Sequence, residues 1–169
     1  MNRRQHLAIA AAATALLAGT ALPASAATTT TTFEITGGLL ALTVQPAADL
    51  GPDSAGTTAI SGTLGPVLVT DARGGTAVWA VSAASTAFTG PLGSSSTTVS
   101  YSAGAVTETG SITVADGSAV AIGGGAAQVV VPTALSGINT ASWNPTLTVT
   151  MPTSALADHY SGTVTTSIL

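Results

Sequence analysis

The sequence predicts an all-β fold, an antiparallel β-sandwich of Ig-like character built from about nine or ten short strands. Three observations predict it. Apolar residues alternate with threonine and serine at period two in several runs, the mark of half-buried strands. Glycine, proline and Asp-Gly turn signals punctuate those runs. No window beyond the first 26 residues shows helical periodicity.

The 169 residues are enough for one domain with a core of its own. Only 6% of residues are charged, and lysine is absent. A 46% hydrophobic content in alternating runs still argues for a folded domain over disorder.

The N-terminus reads as a secretory signal peptide over residues 1–26. Arg3 and Arg4 form a basic start, Leu7 to Leu22 is apolar and alanine-rich, and Ala24-Ser25-Ala26 is an A-x-A cleavage box. Residues 27–169 form the domain, and no further segment is long and apolar enough to span a membrane as a helix.

After a threonine-rich lead-in, Phe33 and Ile35 alternate with Glu34 and Thr36 in an expected first strand. Leu40, Leu42 and Val44 mark a second, and Pro46 to Ala55 a loop. Thr58–Leu64 and Val67–Thr70 are strand-like, and Asp71 to Gly75 is a turn. Thr76–Ala83 is an expected strand with Trp79 and Val81 on one face. Ser85 to Ser96 is a small-residue loop carrying Phe88. Thr97–Ser102 places Val99 and Tyr101 on one side. Ile112 and Val114, then Val120 and Ile122, flank Asp116-Gly117, the signal of a tight hairpin. Gln128–Val131 is a short strand ended by Pro132. Thr146–Met151 and Tyr160–Ile168 are the most regular runs, expected as two strands joined by a short loop.

Cleavage after Ala26 leaves Arg73 as the sole Lys or Arg against seven carboxylates. Such a chain has no basic patch for nucleic acid or anionic lipid. It has no cysteine, so no disulfide supports it. Beyond residue 26 it holds one histidine, His159, beside Asp158. No nucleophile elbow accompanies them, and they read as a solvated turn. Asp49 and Asp53 share a loop without the dense acidic spacing of a calcium site and read as turn caps. No enzyme activity, no metal and no cofactor are expected.

Four residues are candidates for binding. Trp79, Trp143 and Tyr160 offer aromatic faces that stack on sugar rings, and Arg73 offers a cation to an acidic polymer. Each has a structural alternative. Trp79 fits a sandwich core, and Trp143 sits at a strand entrance beside Pro145. Tyr160 fits a tyrosine corner whose hydroxyl caps the backbone, and Arg73 fits a turn-pinning pair with Asp71.

Trp79-Ala80-Val81 follows the turn Asp71 to Gly74. Trp143-Asn144-Pro145-Thr146-Leu147-Thr148-Val149 then leads through Pro152 and Asp158 to Tyr160-Ser161-Gly162-Thr163-Val164. This order resembles the WxL domain, a secreted surface module of Gram-positive bacteria, in an actinobacterial style, over most of the chain after residue 26. The first Trp-x-Leu motif here ends in Val81. The second falls at Thr166-Ser167-Ile168, without its tryptophan. The resemblance implies non-covalent attachment to the cell wall (peptidoglycan). The expectation is a secreted, non-catalytic cell-surface protein whose partners are a cell-wall polymer or other surface proteins. The alternative is a secreted structural subunit that self-associates through uncharged, threonine-rich strand edges.

Overall fold

The computed structural model describes residues 28–169; the signal peptide expected over residues 1–26 lies outside them. Residues 28–34 are exposed and without regular structure, and Ile35–Leu169 form one unit. That unit contains eleven strands and no helix among the described residues. They are β1 (Leu40–Thr43), β2 (Ala59–Thr63), β3 (Val67–Asp71), β4 (Val81–Ser85), β5 (Thr98–Ser102) and β6 (Thr107–Val114). The remainder are β7 (Val120–Ala121), β8 (Ala127–Val130), β9 (Pro132–Trp143), β10 (Thr146–Thr150) and β11 (Val164–Ile168). None of these elements is a helix that could cross a membrane.

All pairings are antiparallel. The strands form three sheets, ordered β1-β3-β9-β6, β2-β10-β5-β7 and β11-β4-β8. The all-β, sandwich-type architecture expected from the alternation is therefore present. Register explains why the alternation works. Val67 lies opposite Trp143, and Val69 opposite Ala141. Leu147 lies opposite Tyr101, and Val149 opposite Val99. Val81 lies opposite Val130. Every one of these residues is buried, so each sheet turns one continuous apolar face inward. On the outer face of the second sheet Ser61 and Thr148 hydrogen-bond side chain to side chain at 2.8 Å.

Five local expectations are corrected. First, Phe33 to Thr36 form no strand, and Phe33 and Ile35 are 86% and 85% exposed. Alternation alone gives no stability to a segment without a partner. Second, Asp116-Gly117 is not a hairpin tip. The strands on either side of it, β6 and β7, belong to different sheets. Gly117 instead exchanges two backbone hydrogen bonds with Gly104, at 3.0 and 3.1 Å. Neither Asp116 nor Gly117 has the positive φ that a two-residue turn of that type requires.

Third, β9 has twelve residues and was not expected beyond Pro132. Pro132 and Gly137 resemble breakers, yet Pro132 occupies a strand's first position, where a missing N–H is tolerated. Gly137 has φ +70°, and the ladder with β6 is irregular between Gly110 and Ser111, where β9 absorbs two extra residues, Gly137 and Ile138. Fourth, the two C-terminal runs are strands but not neighbours, since β10 pairs with β2 and β5 while β11 pairs with β4. Fifth, the strand carrying the first motif begins at Val81, after Trp79. The inward alternation of Trp79, Val81 and Ala83 nonetheless holds.

Candidate functional site

A cleft of about 290 Å³ lies between β11 and the loop that follows β1. Val164 and Thr166 of β11 form one wall, and Val44 to Ala48 the other. Tyr101 and Leu147 lie at its inner surface. Its lining is mostly aliphatic and aromatic, with Gln45, Thr163 and Thr166 as polar members and no ionisable group other than the Tyr101 phenol.

Glycines set the shape of the cleft. Gly162 lies against Phe88, and a Cβ there would meet the ring at 2.8 Å. Both residues line the cleft, so the ring is seated in space that only glycine leaves. Gly65, with φ +83°, lets Gln45 lie against the backbone on the opposite side.

Beneath the cleft is the principal buried polar contact. The Trp143 indole N–H donates to the Tyr101 hydroxyl at 2.8 Å, and both residues are buried. Burial pushes the Tyr101 phenol above its ordinary pKa, and the indole bond opposes part of that rise. Tyr101 was legible as a buried strand residue; its partnership with Trp143 spans 42 residues and has no local signal.

None of the four candidate binding residues lines the cleft. Trp79 and Trp143 are core residues, 1% and 4% exposed, so neither presents an open ring face for stacking on a sugar. The Trp79 indole N–H has no hydrogen-bond partner among the described residues. The Tyr160 hydroxyl donates to the Leu156 carbonyl four residues upstream, at 2.6 Å. This is the backbone cap expected of a corner tyrosine.

Arg73 pairs with Asp71. Its Nε donates to Asp71 Oδ1 and its Nη2 to Oδ2, each at 2.9 Å. The Arg73 backbone N–H adds a third bond to Oδ1 at 3.0 Å, and Nη2 also donates to the Ala77 carbonyl. The paired geometry matches the planar fork of guanidinium. The hydrogen bonds from Arg73 hold the Asp71 carboxyl below the ordinary range despite burial, and the same bonds raise the Arg73 pKa. The arginine is thereby committed to the turn that follows β3.

The other carboxylates also hold backbone. Asp49 accepts from the Gly51 N–H, and Asp53 from the Ser54 N–H and the Thr57 hydroxyl. These are the turn-capping roles expected of both. Asp158 accepts from the Leu92 N–H at 2.8 Å and so staples two loops 66 residues apart. It is more than the solvated turn residue expected, while the adjacent His159 is exposed. Glu108 accepts from the Val114 N–H, and Asp116 lies 3.4 Å from the Val106 N–H. No group of three or more His, Cys, Asp or Glu gathers among the described residues. No protein-family model, curated protein or solved structure matches the chain.

Proposed function

We propose that this chain is a secreted, non-catalytic cell-surface protein that associates non-covalently with the Gram-positive envelope, through peptidoglycan or through surface protein partners. The observation that carries the reading is the use of its acids. Six of the seven carboxylates accept hydrogen bonds, from backbone N–H groups in every case. The carboxylates are engaged in holding loops, which suits a scaffold whose acids serve structure. The WxL-like order of residues and the signal-peptide pattern supply the location.

A pull-down on purified actinobacterial cell walls, with bound protein measured before and after a salt wash, tests this reading. Saturable, salt-resistant retention supports it. Absence of retention from both bare walls and walls carrying their surface proteins overturns it.

A second reading, self-assembly as a structural subunit, is favoured by the sheet edges. The outer strands β1, β2 and β11 carry no charged residue and no proline. Such edges lack the usual barriers to pairing with another chain. Growth of oligomers with protein concentration, in the absence of wall material, separates this reading from the first.

A further inference from the structure

The segment from Thr28 to Thr36 has the chemistry of a strand and no strand to pair with. Thr28 to Thr32 are all threonine, and then Phe33 and Ile35 alternate with Glu34 and Thr36. Threonine, phenylalanine and isoleucine all favour strands. Both large side chains are almost fully in water, and neither residue belongs to a strand.

The outer edge of β11 is the complementary surface. β11 is the outermost strand of its sheet, with β4 on its inner side. Just past its end, Leu169 and Ala80 exchange both backbone hydrogen bonds, at 3.0 and 3.1 Å. In an antiparallel ladder such exchanging pairs recur at every second residue. Ser167 and Thr165 therefore face β4, as does Thr163, whose carbonyl accepts from the Thr86 N–H at 3.0 Å. The N–H and C=O groups of Val164, Thr166 and Ile168 point to the outer edge.

The side chains match as well. Val164, Thr166 and Ile168 are half-buried, while Thr165 and Ser167 are exposed. Val164 and Thr166 line the cleft. β1 comes into contact with β11, yet no hydrogen-bonded ladder joins them.

We propose that Thr28–Thr36 of one copy adds as a strand to the outer edge of β11 in a second copy, placing Phe33 and Ile35 at the cleft. This rests on the self-association reading and names its two surfaces. Period two carries the fit. With Phe33 and Ile35 on the half-buried face, Glu34 and Thr36 fall on the solvent face beside Thr165 and Ser167. The loop from Val44 to Leu50, which forms the far wall of the cleft and lies outside any strand, is the element that gives way. Donor and acceptor are different surfaces of the same chain, so the contact is head-to-tail and leads to open chains of subunits.

Backbone parity supplies the test. Sedimentation velocity over a concentration series is run on protein recovered from expression of the full sequence. The wild type is expected to form a ladder of oligomers. The double variant Phe33→Asp with Ile35→Asp loses the donor and should sediment as a monomer. Thr166→Pro removes an N–H that points outward, so it should keep the wild-type melting temperature and lose the oligomers. Thr165→Pro removes an N–H directed at β4 and should lower the melting temperature instead. A synthetic peptide of residues 28–36 should bind the monomeric double variant one to one, and should not bind Thr166→Pro.

Oligomers that persist unchanged in the double variant overturn this inference and leave self-association by another surface standing. A wild type that is monomeric throughout, with a peptide that does not bind, overturns both.

Discussion

The Trp143 indole and the Tyr101 hydroxyl meet at 2.8 Å in the interior, joining the end of β9 to β5. A buried donor and a buried acceptor satisfy one another there, and each would be left without that bond if its partner were removed. A double-mutant cycle with Trp143→Phe and Tyr101→Phe should therefore give a coupling of about 0.5–1.5 kcal/mol. Urea unfolding of the four proteins measures it. A coupling near zero would show that the bond contributes nothing net.

Tyr101 also sets an alkaline limit. Its folded-state pKa is raised, chiefly by burial. Its contribution is complete below the unfolded value of ~10 and is lost as pH rises from there toward the higher folded value. Stability measured by denaturant midpoint should fall more steeply above pH ~10 in the wild type than in Tyr101→Phe. Parallel curves would contradict the assignment.

Asp71 sets the acid limit with the opposite sign. Its folded pKa is depressed, first by the Arg73 side-chain hydrogen bonds. That stabilisation is complete above the unfolded value of ~3.9 and is lost as pH falls through the lower folded value. Asp71→Asn should flatten the acid branch of the stability curve, leaving the alkaline branch in place. A pH titration of the thermal midpoint reads both branches at once.

Trp79 is a packing residue with an unmatched N–H. Trp79→Ala should cost about 3–5 kcal/mol through lost contact and a residual cavity. Trp79→Phe should be much milder, because it removes the orphaned donor along with part of the ring. Equal losses for the two variants would show that the N–H is satisfied in solution.

Gly162 is a steric position. A methyl group there would sit 2.8 Å from the Phe88 ring, so Gly162→Ala should displace that ring and cost roughly 1–3 kcal/mol. Phe88→Leu in the same background should recover part of the loss. Calorimetric unfolding of the three variants checks both statements.

Much of the fold was legible where one face of a strand meets the core. β10 shows this best: Leu147 and Val149 are buried, and Thr146, Thr148 and Thr150 lie on the other face. The period was readable because burial imposes it. Pairing was not, because neighbours are chosen by register across long separations; β10 lies between β2 and β5, and no local signal says so. The hairpin expected at Asp116-Gly117 fails for the same reason, and although β8 does end just before Pro132, the long strand β9 that starts there was not legible, since turn residues report local conformation and tertiary pairing overrides it. The Tyr160 cap and the Asp71–Arg73 pair were legible because each closes within a few residues. The cleft was not, since its walls come from both ends of the domain.

The placement of the last three strands has a kinetic meaning. β9 joins β3 to β6, β10 joins β2 to β5, and β11 completes the sheet of β4. None of the three sheets is whole before the strands from β9 onward have been synthesised. The polypeptide consequently emerges through β8 without a complete sheet, and closure waits on contacts of high sequence separation. Refolding should fall in the millisecond-to-second range typical of non-local β topologies, with the unpaired edges of β2, β3 and β5 exposed to other chains throughout that interval.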